Sequence, residues 1–400
     1  MDPALLWESS SNAKSPQPPH DLPLTQRNGS VFVRDLWRHL SRAKSTKRMS
    51  MGFEPLQLPP PRTKMASAVS IQILDLRHFA APVLRPLLDA EGELWKERLH
   101  WDYRTSSRLL MQYLDSHMLP GYAAVESGQV TGYAFCVYEE TKAGIGDVFA
   151  LASAPPVPGA SSLADPSPTA HQIEQTLLTH LFETLLNSPH VDRIESQLLL
   201  HASGEHADLF RESGFEVFRR LFLVQQLQGL WTNPTTDLPP GLELRAWRED
   251  DLASAGRLIA DAYRGHPDSV INDQYRSHHG SQRFLHNIVR YSGCGVFSPQ
   301  VSHVVVERRT RELVALILGS RVSNESGHIT QLCVHPNFRR MGLARMLLSI
   351  AAFQFMRLGA VEISLTVTES NTTAIDLYTS EGYALSRAFD AAVWQRPRTA

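Results

Sequence analysis

The chain has 400 residues, 42% of them hydrophobic and 20% charged, which is too long for one typical core and makes two domains the expectation. A formal net charge of -2 excludes a global pull toward nucleic acid or an anionic membrane. No apolar run reaches the ~20 residues of a membrane span, no secretion-signal order opens the chain, and Cys136, Cys294 and Cys333 form no metal-type pair, so the expectation is a cytoplasmic protein with reduced thiols.

Residues 1–66 are rich in proline (Pro16, Pro18, Pro19, Pro59, Pro60, Pro61) and carry a basic run from Arg38 to Arg48, which predicts a disordered extension with at most a short helix around Phe32–Ala43. From Val69 the pattern becomes regular. Ile71–Leu74 reads as a strand, and Val83–Leu99 and Ser106–His117 read as helices. Gly121–Glu126 and Gln129–Glu139 read as a hairpin turning at Ser127-Gly128, and Gly146–Leu151 as a further strand. After a Pro/Ala/Ser loop at 152–168 come a helix His171–Asn187, a strand Arg193–Leu200, a short helix Glu205–Ser213 and a strand Phe215–Gln226. Residues 231–240, with three prolines, form the linker.

The second half repeats this order. Strand Leu242–Trp247 and helix Asp250–Tyr263 are followed by a helix near Ser281–Tyr291, a hairpin Ser302–Arg308 with Leu313–Val322, and a strand His328–Val334. Helix Leu343–Leu358 places Leu343, Met346, Leu347 and Ile350 on one face, with Gly359 as its C-terminal stop. Strand Val361–Thr368, helix Thr373–Thr379 and strand Tyr383–Trp394 complete the half. Letters repeat as well: Leu209–Phe215 lies over Leu377–Tyr383 at a constant offset of 168 residues, with Asp208 over Asp376. Two copies of one mixed α/β fold are predicted, residues 67–230 and 241–396.

In the second copy Ile329, Leu332 and Val334 break the two-residue period of a strand, so a β-bulge is expected between Ile329 and Leu332. The turn His335-Pro336-Asn337-Phe338 then leads into Arg339-Arg340-Met341-Gly342-Leu343-Ala344. A glycine beside basic residues at a helix start favours a closely approaching anion.

The string Ile-x-x-Leu-x-Val-x-Pro-x-Phe-Arg-Arg-x-Gly-x-Ala (329–344), followed by Asn371-x-x-Ala374-x-x-x-Tyr378-x-x-x-Gly382-Tyr383, resembles the GNAT superfamily of acyl-CoA-dependent acetyltransferases. The resemblance is strong over 241–395 and holds over 69–228 only in element order. It implies two tandem domains, each a mixed twisted sheet flanked by helices, and an N-acetyltransferase that moves an acetyl group from acetyl-CoA to a primary amine, small-molecule or peptide. No metal is implied. Arg339, Arg340, Met341, Gly342, Leu343, Ala344 and Arg345 would cradle the CoA pyrophosphate. Leu332, Cys333 and Val334 would pair with its pantetheine arm, and a backbone N–H there would polarise the thioester carbonyl. Asn371 would touch the cofactor, and Tyr378 would act as general acid. A non-catalytic acyl-CoA-binding or scaffold protein is the alternative.

The general base is the open role. Gln331 stands where many relatives carry Glu, and an amide is no base at neutral pH. His328, on the same strand, has a suitable reference pKa of ~6.5. His335, Glu362 and Asp273 are remoter candidates. Residues 263–280, with Tyr263, His266, Asp268, Asp273, Tyr275, His278 and His279, are expected to form a mobile polar loop near the acceptor. The first copy has Phe210 in place of the tyrosine, Ser203 in place of Asn371 and no Arg-x-x-Gly-x-Gly turn. This leaves it a structural role, in a tandem arrangement that resembles mycothiol synthases.

Overall fold

A computed structural model describes residues 71–151, 169–227, 234–290 and 295–397. The predicted extension (1–66), the Pro/Ala/Ser loop (152–168), the first part of the linker and Cys294 lie outside the described residues.

In the first half, strand β1 (Gln72–Asp75) and helices α1 (Ala81–Leu99) and α2 (Arg104–Asp115) precede β2 (Gly121–Glu126), β3 (Gln129–Glu139) and β4 (Lys142–Ala150). Helix α3 (Ala170–Leu186), β5 (Arg193–Gln197), α4 (Ala207–Glu212) and β6 (Glu216–Gln226) follow. The second half runs β7 (Leu242–Ala246), α5 (Leu252–Ala262), α6 (Asp268–Ile271), α7 (His278–Arg290), β8 (Val296–Phe297), β9 (His303–Glu307), β10 (Leu313–Arg321) and β11 (Ser326–Val334). It ends with α8 (Leu343–Arg357), β12 (Glu362–Thr368), α9 (Thr372–Ser380) and β13 (Ala384–Gln395). The expected elements are present with shifted ends. One differs in kind: 263–280 is ordered, because α6 and a 3₁₀ turn at Asp273–Arg276 pack into it.

All of these strands join one sheet in the order β1-β2-β3-β4-β5-β13-β6-β12-β11-β10-β9-β7, with β8 on β10. The last strand of each repeat is exchanged. β13 lies between β5 and β6 of the first half, and β6 lies between β12 and β13 of the second. Period-2 alternation explains how one strand serves both halves. Leu221 and Leu223 of β6 enter the core under α8, while Phe222 joins Trp101 and Phe389 on the other face. Fully burying one such leucine contributes about 1.5–3 kcal/mol. The linker therefore separates the repeats along the chain, but the sheet and the cores cross it.

Each half also lays a loop over the other. His100 bonds Glu362 at 2.7 Å and Asp102 N–H donates to the Val322 carbonyl at 2.8 Å. In the opposite direction, Lys142 Nζ meets Asp273 at 2.8 Å.

Candidate acyl-CoA site

The site begins with a strand that leaves its neighbour. β11 pairs in parallel with β12 only from Ser326 to Ile329. On its other edge Leu318 faces Gln331 and Gly319 faces Ile329, so Thr330 is the extra residue of the expected bulge. Thr330 Oγ1 donates to the Leu318 carbonyl at 3.1 Å and pins the bulge. Beyond it Leu332, Cys333 and Val334 stay on β10 while β12 stays on β6. One edge of β11 therefore opens as a slot, the feature a pantetheine arm requires as an added strand.

Helix α8 points its start at this slot. Its seat is fixed by two glycines: a Cβ on Gly327 would come within 2.5 Å of the Phe355 ring, and one on Gly319 within 2.9 Å. A 3₁₀ turn at Pro336–Phe338, capped by His335, leads to Arg340 and Gly342 at φ +64° and +80°. Gly342 is the N-cap of α8 and has no side chain to cap with. The first intrahelical bond runs from Met346 N–H to the Gly342 carbonyl, so the N–H groups of Leu343, Ala344 and Arg345 lack helical acceptors. Nothing lies within 4 Å of a Cβ built on Gly342. Free N–H groups, the helix dipole and open space fit a pyrophosphate.

The basic side chains at this turn are employed differently from the expectation. Arg339 donates to the carbonyls of Ala262 (2.9 Å) and Val334 (3.4 Å), which ties the turn to α5. Arg345 pairs with Glu381 at 2.9 Å and donates to Ser380, which ties α8 to α9. Asn371 caps α9 by accepting from Ala374 N–H at 3.3 Å. These three hold the turn and its neighbouring helices together, while the Arg340 side chain is exposed.

Tyr378 projects from α9 into a cluster with Tyr263, Asp268, Tyr275 and Cys333. Burial, then the nearby Asp268 and Cys333, hold its phenol above the ordinary range, so it stays protonated. Burial also pushes the Cys333 thiol up to about 12. Gln331 is fixed at both ends of its amide: it donates to Tyr263 at 3.1 Å and accepts from Tyr275 at 3.3 Å. Asp268 accepts from the Thr368 hydroxyl on β12. Asp268 was read only as part of a polar loop, because its place depends on α6 folding back onto β12.

The base candidates fare poorly. His328 is buried rather than facing solvent, bonded to Ser364 at 2.9 Å and covered by Trp101 at 5.0 Å. Burial, reinforced by the Arg220 charge, lowers its pKa to about 3, which removes the property for which it was chosen. Glu362 is occupied by His100, Ser326 and Gln226. Asp273 is held by Lys142 and Arg193, and burial opposes but does not cancel their lowering of its pKa. His335 accepts from Asn337 N–H in its turn.

A cavity of about 470 Å³ lies between the halves, lined among others by Trp95, Trp101, Tyr103, Asp147, His328 and Thr366. The first half shares more with the second than its letters showed. Phe135 faces Asp147 and Cys136 faces Ile145, so Gly146 is a bulge residue and β4 parts from β5 just as β11 parts from β12. Asp147 then occupies the position of Gln331. Burial and the adjacent Glu91 raise its pKa well above the carboxylate range, which keeps it protonated.

A bulged strand parting from its parallel neighbour, a helix start with free N–H groups and a tyrosine on the next helix form the arrangement that the sequence resemblance implies. Residues 269–383 match the model of the Acetyltransferase (GNAT) family. It is similar to the mycothiol acetyltransferase of Geodermatophilus obscurus, at 24% identity over 355 residues, 87% of this chain and 100% of that one. It is also similar to N-alpha-acetyltransferase 20 of Dictyostelium discoideum, 40% identical over 65 residues, 16% of this chain and 38% of the relative. A solved GCN5-related N-acetyltransferase from Sphaerobacter thermophilus superposes with a TM-score of 0.53 at 16% identity, covering 84% of this chain and 98% of that one. That likeness is one of fold across both halves. No described helix is long and apolar enough to cross a membrane.

Proposed function

We propose that the second half transfers an acetyl group from acetyl-CoA to a primary amine by direct attack. The observation that carries this reading is the buried Tyr378 phenol near Cys333, on the slot opened by the Thr330 bulge. Acetyl-CoA supplies the activated thioester, and the remaining work belongs to side chains and backbone of this chain. The N–H groups from Arg340 to Arg345 hold the pyrophosphate, and Leu332 to Val334 orient the pantetheine. A backbone N–H at the bulge polarises the acetyl carbonyl. Tyr378 donates its proton toward the departing sulfur.

Asp268 is the carboxylate of this cluster, and we assign it the proton lost by the amine. Gln331 positions Tyr263 and Tyr275 around the acceptor.

The test is thiol release across a panel of amines. Tyr378→Phe should lower kcat by about 10²–10⁴-fold with little change in KM for acetyl-CoA. Asp268→Asn should lower kcat with little change in KM for acetyl-CoA. Full activity in Tyr378→Phe removes the acid role. The second reading, a non-catalytic acyl-CoA binder, draws on the amide at Gln331. Acetyl-CoA binding without turnover on any amine would favour it.

A further inference from the structure

The first half gathers His171 and Glu174 from the first turn of α3 and Glu205 and His206 from the turn before α4, with one ligand atom of each within 4.8 Å of the others. His206 Nε2 lies 3.2 Å from His201 Nδ1 and 3.4 Å from Glu174 Oε2. His201 in turn donates from Nε2 to the Val148 carbonyl at 2.9 Å, and its Nδ1 also lies 3.6 Å from Glu205 and 3.8 Å from Glu174. With Nε2 of His206 turned to these groups, Nδ1 is its remaining ring nitrogen. That Nδ1 is buried without a hydrogen-bond partner among the described residues, and so is Nδ1 of His171. The two rings stack with centroids 5.0 Å apart. Glu174 is anchored by accepting from Ala150 N–H at 3.2 Å, so it presents its other oxygen.

Two unpartnered imidazole nitrogens beside two carboxylates are the donor set of a divalent transition metal. A histidine ligand is usually supported by a hydrogen bond at its other ring nitrogen, the place the contacts of His206 Nε2 take here. We propose that His171, Glu174, Glu205 and His206 form a structural zinc site. Tetrahedral zinc with bonds of about 2.1 Å needs donors about 3.4 Å apart, and the half-exposed Glu205 provides the remaining closure. The metal would clip α3 to the segment before α4. In the second half the corresponding helix start is kept open for the pyrophosphate. Sequence spacing held no sign of this set, because two segments some thirty residues apart assemble it.

The test uses the full chain without a histidine tag, stripped with chelator and titrated with zinc against a chromophoric competitor. One zinc per chain at submicromolar affinity and a rise in Tm are expected. His206→Ala and His171→Ala should each weaken binding at least 100-fold, whereas His190→Ala, at an exposed histidine on another segment, should not change it. His171→Ala serves if His206→Ala does not fold, as judged by circular dichroism. A native chain that takes up no zinc, or a folded His171→Ala that binds as tightly as native, overturns the site. Acetyl-CoA binding is read separately, so failure here leaves the proposed transferase reading intact.

Discussion

The two halves share a topology and a bulge but use the resulting gap in opposite ways. In the second half the gap is left clear: Gly342 faces open space, helical N–H groups are free, and Tyr378 stands at the end. In the first half side chains bond to the strand end that follows the bulge. His201 reaches the carbonyl of Val148, Glu174 reaches the N–H of Ala150, and Phe210 is packed against Phe182 and Phe215 where the tyrosine would be. A duplicated fold thus keeps its scaffold while its chemistry is decided by a few side chains at one gap.

The halves are nonetheless not separable, which gives the largest expected effect. Because β6 and β13 are exchanged, residues 241–400 expressed alone lack the strand that covers β12. Neither that fragment nor a chain ending at Gly382 should show a cooperative unfolding transition. A soluble fragment that unfolds cooperatively would show that the exchanged strands are dispensable.

A smaller effect follows from the loop that carries Trp101. The unfolded chain protonates His328 near pH 6.5 while the folded chain resists until about pH 3, so this residue stabilises the protein fully above pH 6.5 and loses that contribution as the pH falls. The slope is about 1.4 kcal/mol per pH unit within the window. Denaturant midpoints measured from pH 7 to pH 4 should therefore fall less steeply in His328→Gln than in native protein. Equal slopes would place the acid sensitivity elsewhere. The smallest effect is expected for Phe210→Tyr: restoring the hydroxyl in the first half should add no turnover.

Much of this was legible in the sequence, for local reasons. The spacing of Ile329, Leu332 and Val334 betrays the bulge, because one extra residue breaks a period of two. The glycine turn and Tyr378 are readable because their chemistry depends on short-range spacing. What was hidden depends on contacts between distant segments. Alternation says which face a residue of β6 takes, but not that β12 and β13 will be its neighbours. His328 looks like a solvent-facing base until Trp101, from the other half, covers it. Gly146 has no strand-period signature, since it sits in a run where every second residue is small or apolar.

The central claim is that this tandem chain has one acetyl-CoA site, at the turn of the second half. Calorimetric titration of the full chain with acetyl-CoA tests it most directly, alongside Gly342→Asp, which sets a carboxylate where the pyrophosphate is cradled. One site per chain, with affinity reduced at least 100-fold in a Gly342→Asp variant of native circular dichroism, is the predicted result. Two sites per chain, or native affinity in that variant, would contradict it.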